Sequence, residues 1–308
     1  MKLVHRSSKC LGKHGITRIF QRFYASQTKK TSTDYCIDIV RRSDYEGFLC
    51  TLLLPEHGRT SAMAIRAFNV EIAQVQDTVT NKQIGLMRLQ FWKDSLDQLY
   101  KEAAPKQPVA MELGRAIHSK NLSRRWLTKL IEARERSLEE KAPMTVKAVE
   151  EYADCTSSAV MFLVLESVGI RDVHADHAAS HLGKALGFTT LLRATPYHAS
   201  LRKLNLPVEV LAKHKVSEEQ VYRGSQEQEM KDAVFELASL AHQHLDKARS
   251  LSSSLPRPAL SVFLPALVCD NYLTGLQRAH FNVFDAKLQQ KAHLLPAKLW
   301  WKKLRGTY

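Results

Sequence analysis

Glycine is scarce in this 308-residue chain, at 12 residues. Neither a glycine-rich phosphate loop nor a GxGxxG, GxSxG or HExxH motif is present, which removes the common nucleotide, serine-hydrolase and zinc-protease sites. The five cysteines, Cys10, Cys36, Cys50, Cys155 and Cys269, are widely spaced, odd in number and without a CxxC pair. Neither a disulfide framework nor a zinc site is indicated. Long apolar runs are also lacking: Ala159 to Leu165 and Ser261 to Val268 fall well short of the roughly 20 residues a membrane-spanning helix needs. Acid is missing from the first 33 residues, which hold eight of the 45 basic residues, whereas all 31 acids lie beyond. The net charge of +14 is therefore concentrated at one end, and the small excess on the body does not call for nucleic acid.

What the extension does have is an amphipathic pattern. Ile16, Ile19, Phe20 and Phe23 recur at i, i+3, i+4 and i+7 opposite Arg18 and Arg22, the Arg-rich, acid-poor signature of an organelle import sequence rather than of a secretory signal. A disordered basic tail is the plain alternative. Arg22-Phe23-Tyr24 followed by Ala25-Ser26 resembles a matrix-processing site, so residues 1–33 are expected to be a mitochondrial presequence cut near Tyr24, with residues 34–308 forming a single domain.

Along the body the period is helical. Ile65, Phe68, Ile72, Val75 and Val79 repeat at steps of 3 and 4, as do Leu89, Trp92, Leu96 and Leu99, and each set predicts one core-facing stripe. Ser43 with Glu46, Ser217 with Gln220 and Ser225 with Gln228 have capping-box spacing. Pro55, Pro105, Pro143, Pro207 and Pro256 divide the chain into segments of helical length. The pattern predicts an all-α bundle of roughly ten helices. His174, His177 and His181 share a helix face, but three ligands from one straight helix rarely converge on one ion, and solvated histidines are the simpler expectation. Asp94 and Asp97 fall on the polar side of their stripe and are expected at the surface. Neither a metal nor a cofactor is predicted.

Several segments in order resemble the squalene/phytoene synthase family. Leu54-Pro55, Arg59 and Ala64-Ile65-Arg66-Ala67-Phe68 look like the approach to its first aspartate-rich helix, and Gly85-Leu86 through Leu96-Asp97 and Tyr100 like the next. Glu151-Tyr152-Ala153 with Ser157-Ser158-Ala159 resembles its small-residue stretch, Gly183 to Arg193 its second aspartate-rich helix, and Ala259 to Asp285 its C-terminal helices. The resemblance implies an isoprenoid-synthase-like bundle around a central cavity. In such enzymes acids one turn apart on two facing helices hold magnesium ions against a diphosphate. Here Ala73 and Gln74 stand at the leading aspartates and Asp77 survives; Thr190 replaces an asparagine, Arg193 is kept, and Ala194 and His198 stand where aspartates are expected. Glu71, about 200° round the helix from Ala73, cannot substitute. Prenyl transfer is thus expected to be lost while the fold persists.

Ala67-Phe68-Asn69-Val70-Glu71 and Ile84 through Trp92 are similar to non-catalytic members of the family that serve respiratory complex I, the NADH:ubiquinone oxidoreductase. That implies a non-enzymatic assembly factor on the matrix side of the inner membrane, with complex I subunits or other assembly factors as partners. A lipid or isoprenoid carrier, or a residual prenyl-diphosphate transferase, are the alternatives. At the C-terminus Trp300, Trp301, Lys302, Lys303 and Arg305 join aromatic anchors to cations without an acid, a pattern suited to a membrane surface. Packing of Leu299 and Trp300 onto the bundle as its last helix is the competing expectation.

Overall fold

A threonine at the edge of the acid-free extension starts the helical body. Thr31 Oγ1 accepts the Asp34 backbone N–H while the Asp34 carboxylate accepts the Thr31 N–H, and this reciprocal cap begins α1, Ser32–Ser43. The computed structural model describes residues 31–308 apart from 80, 140, 141 and 291. The import pattern and the cleavage site near Tyr24 lie outside the described residues.

After α1 come α2 (Tyr45–Leu52), α3 (Glu56–Ala73), the one-turn α4 (Val75–Thr78), α5 (Lys82–Leu99), α6 (Pro108–Lys120), α7 (Arg124–Glu139) and α8 (Val146–Ala153). A π-helical turn, Asp154–Ser158, leads into α9 (Ala159–Ser167) and α10 (Val173–Ser200). The chain continues through α11 (Val208–Lys213), α12 (Glu218–Tyr222), α13 (Gln228–Ser250), a 3-10 run (Arg257–Phe263), α14 (Pro265–Arg278) and α15 (Leu295–Arg305). No strand occurs among the described residues, as the periodicity predicts. The helices are more numerous than expected because capped and proline-led breaks divide several predicted segments.

Both stripes face the core. Ile65, Phe68, Ile72 and Val75 are buried, as are Leu89, Trp92, Leu96 and Leu99, whereas Val79, expected on the first stripe, lies half-buried in extended chain just past α4; the Phe68 and Trp92 rings meet edge to face at 5.1 Å between centroids. The most apolar segment, α9, is buried along its whole length. Against it and the π turn lies α10, which also packs extensively on α13. Two buried acids fasten outer elements to this core. Glu112 accepts from Ser32 Oγ and Thr33 Oγ1 of α1, and Glu166 accepts the Ser123 N–H that would otherwise be orphaned at the start of α7. Thr31, Ser32 and Thr33, which the charge boundary groups with the extension, are thus built into the body.

One capping expectation of three is realised. Ser217 and Gln220 form the reciprocal box that starts α12. At α2 the cap moves one residue to Asp44, whose carboxylate accepts from Gly47 N, because α1 runs on through Ser43. At α13 the N-cap is Glu227, and Ser225 instead accepts the Glu227 N–H. The stretch Arg257–Arg278 has the length and mean hydropathy, 1.4, of a membrane-crossing helix. With 56% of its most apolar window buried inside the bundle and Ala259, Val262, Phe263 and Leu276 in the core, packing accounts for that apolarity.

Candidate functional site

The seven positions that the resemblance singles out lie at the C-terminal end of α3, on α4 and in the C-terminal part of α10. Ala73 is the last residue of α3 and Gln74 its C-cap, giving its N–H to the Val70 carbonyl. The Gln74 side chain donates to Ser43 Oγ at 2.8 Å, tying the ends of α3 and α1. Asp77 stands exposed on α4. On α10, Thr190 is exposed, whereas Arg193, Ala194 and His198 are half-buried. Asp77 of α4 and His198 of α10 lie close enough to interact: burial lowers the His198 pKa below its ordinary value, and the Asp77 carboxylate opposes that shift.

Arg193 is already engaged. Its Nη1 donates to Glu46 Oε2 at 2.5 Å, joining α10 to α2, and its carbonyl accepts from Gln289 Nε2 at 3.3 Å. Glu46, read from spacing as a capping residue, is thus the partner of this arginine. Glu71 is held on another face by Tyr35, whose OH donates to its carboxylate at 2.9 Å.

A polar layer that the sequence did not reveal flanks Ala73. One turn before it, Asn69 Oδ1 accepts from Arg134 Nη2 at 3.2 Å; Arg134 also donates to the Tyr152 hydroxyl and lies over that ring at 5.3 Å. Just after it, Gln76 Oε1 accepts from Ser137 Oγ at 3.2 Å. Amides and a guanidinium therefore stitch α3 and α4 to α7, and through Arg134 to Tyr152 of α8. Magnesium asks for several oxygen anions, and of the seven positions Asp77 alone supplies a carboxylate. The residues present do not fit a magnesium cluster, and among the described residues no group of three or more His, Cys, Asp and Glu is arranged for any metal. Two concavities, of about 580 and 650 Å³, open elsewhere, and none of the seven positions lines either.

The squalene/phytoene synthase family model matches residues 40–298. The chain belongs to the squalene/phytoene synthase family. Within it, the Bos taurus and Homo sapiens proteins named "NADH dehydrogenase (ubiquinone) complex I, assembly factor 6" are 48% and 47% identical over 274 residues, 89% of this chain and 82% of each relative. The fold is shared with a dehydrosqualene synthase solved with a ligand, at a TM-score of 0.76 and 17% identity over 93% of this chain and 98% of that one.

Two features involve none of the seven positions. His181 does not join His174 and His177 around an ion; both of those are exposed. Instead its Nδ1 meets His244 Nδ1 of α13 at 3.0 Å, and His244 Nε2 lies 3.3 Å from Glu150 of α8. Burial, then His244, His177, Lys184 and Lys247, pull the His181 pKa down to about 4. Because the folded value lies below the free value near 6.5, the unfolded chain binds more protons between them. The stability this group contributes is complete above about pH 6.5 and is lost as pH falls toward 4. Urea midpoints measured from pH 7.5 down to 5 are expected to fall more steeply for wild type than for His181→Asn, and parallel curves would remove this assignment.

The second feature is α15. Leu295 and Leu299 are buried against Cys50, Leu264 and Leu267, while Trp300, Trp301 and Leu304 remain 57, 49 and 64% exposed. Lys303 and Arg305 are exposed, Arg305 lying over the Trp301 ring at 4.7 Å. Lys302 is half-buried and donates to a main-chain oxygen of Tyr308. Leu299 thus packs as a last helix does, but Trp300 does not.

Proposed function

We propose that this chain is a non-enzymatic factor in the assembly of respiratory complex I, working on the matrix side of the mitochondrial inner membrane. The observation that carries the reading is its 48% identity, over 89% of its length, to a protein named for that role. The degenerate positions support the non-enzymatic half. Ala73, Gln74, Thr190, Ala194 and His198 supply no acid, Asp77 stands alone, and Arg193 is compensated by Glu46, so a diphosphate leaving group has no clamp. The import presequence lies within residues 1–33, cut near Tyr24, and residues 34–308, with the Thr31–Thr33 start of α1, form the working domain. Its partners are complex I subunits or other assembly factors, with Trp300, Trp301, Lys303 and Arg305 meeting the membrane surface and Lys302 partly occupied within the chain.

Complementation of cells lacking the protein tests this reading, with assembled complex I measured on native gels. Wild type is expected to restore the complex and Asp77→Ala to restore it equally, since a single carboxylate holds no cluster. A chain beginning at Thr31, which keeps the α1 cap, is expected to fold but to remain outside mitochondria. Complex I that is unchanged by loss of the protein would sink the assembly role. An imported, folded Asp77→Ala that fails to restore it would sink the non-enzymatic one.

A further inference from the structure

The last residues of the chain turn back beside α15. Gly306 takes the left-handed region at φ 62, which glycine adopts without strain, and Tyr308 is buried, its OH donating to the Ala248 carbonyl at 2.9 Å and its ring 5.1 Å from Phe263. This anchoring fixes residues 303–307 as one wall of the groove of about 580 Å³. The 3-10 run from Arg257 forms the opposite wall, and Leu53 and Pro55, at the junction of α2 and α3, complete the lining.

The lining has two chemistries. Leu53, Pro55, Pro258, Leu260 and Leu304 are apolar, and Arg257, Lys303 and Arg305 bring three cations with no acidic side chain among the lining residues. Arg257 and Lys303 are exposed, and neither meets a carboxylate among the described residues. The volume lies in the range of small-molecule sites. A free phosphate would use the cations and leave the leucines wet, whereas an acyl chain alone would leave the cations unmatched. Exposed Trp300, Trp301 and Leu304 carry the apolar surface outward along α15, and tryptophan favours the headgroup level of a bilayer.

We propose that the groove binds one anionic phospholipid, its phosphate held by Arg257 and Lys303 and an acyl chain laid along Leu53, Leu260 and Leu304. The proposal rests on the membrane-facing reading of α15 and adds to it a stoichiometric, headgroup-selective site. Phosphate held between two cations gains charge-assisted hydrogen bonds, while the apolar lining selects a lipid over the free ion.

The test uses the full chain and two measurements. Native mass spectrometry follows one-to-one complexes with short-chain phosphatidylglycerol, short-chain phosphatidylcholine and inorganic phosphate; flotation follows binding to phosphatidylcholine vesicles with and without phosphatidylglycerol. Wild type is expected to form the phosphatidylglycerol complex roughly tenfold or more tightly than the phosphatidylcholine one, with no saturable phosphate complex. Arg257→Glu with Lys303→Glu should erase that preference while keeping the wild-type urea midpoint, since both side chains are exposed. Trp300→Ala with Trp301→Ala should weaken flotation and leave the one-to-one complex. A chain that floats with anionic vesicles yet gives no one-to-one complex, or one indifferent to headgroup, overturns the groove and spares the membrane reading. Phosphate binding as tight as the lipid's also overturns it, assigning the cations to a free anion. A chain that ignores both vesicles removes the membrane reading and the proposal with it.

Discussion

Phe68→Ala is expected to lower the unfolding free energy by about 3 to 5 kcal/mol, the range for truncating a buried aromatic ring to a methyl group. Phe68 has no solvent exposure and sits in the second half of α3, between Ile65 and Ile72 on the same stripe. Its ring meets Trp92 at 75°, so truncation removes an edge-to-face contact as well as transfer energy. Neighbouring helices limit collapse into the space, since α3 is held by α1, α6 and α9 at once. Against a typical total of about 5–15 kcal/mol, that loss is a large share. Urea denaturation at neutral pH reads it directly, and Phe68→Leu, which keeps most of the volume, should lose distinctly less. A midpoint for Phe68→Ala matching wild type would mean that the ring is not where the stripe places it.

The stripes were legible because burial and helical period write the same pattern: each apolar residue three or four positions from the last must face one way. Cap positions were less so. Ser43 and Glu46 have the right spacing, but α1 continues through Ser43 and Asp44 is the better placed acceptor one residue on. At the site, the resemblance of ordered segments names Ala73, Gln74, Asp77 and Arg193, and these stand at the end of α3, on α4 and in the C-terminal part of α10. It could not supply their partners. Glu46 for Arg193, Arg134 for Asn69 and His244 for His181 are 147, 65 and 63 residues away, and one sequence holds no signal for which distant polar residue closes a pair. The same limit applies to α15, where Leu299 and Trp300 are adjacent in sequence yet only the first is buried. Helix phase separates them, but which phase faces the bundle depends on Cys50, Leu264 and Leu267, contributed by distant segments.

Gly183→Ala is expected to cost about 3 kcal/mol or more, at or beyond the upper end for overpacking, even though alanine is the better helix former. A Cβ built on Gly183 would lie 2.5 Å from both the backbone N and Cα of Ser158 and 2.2 Å from its Oγ. Backbone cannot rotate aside as a flexible side chain does, so α10 must shift away from the π turn. One turn on, a Cβ at Gly187 would stand 2.3 Å from Ala153 Cβ and 3.2 Å from its Cα, so the two glycines let α10 lie directly on the α8–π–α9 segment. Ser158 Oγ donates to the Ser180 carbonyl at 3.1 Å, and Ser180 Oγ donates to Asp154 at 2.9 Å; both bonds stretch if the helices part. Because α10 also carries Arg193 and His198, its displacement would loosen the Arg193–Glu46 pair and shift the end of the helix relative to Asp77. Gly183→Leu should therefore leave no cooperatively folded protein, while Lys184→Ala, on a neighbouring position that is not fully buried, should change stability by roughly 0.5 kcal/mol or less. Thermal and urea melts of the three variants separate the effects, and a Gly183→Ala protein as stable as wild type would show that α10 does not approach the π turn this closely.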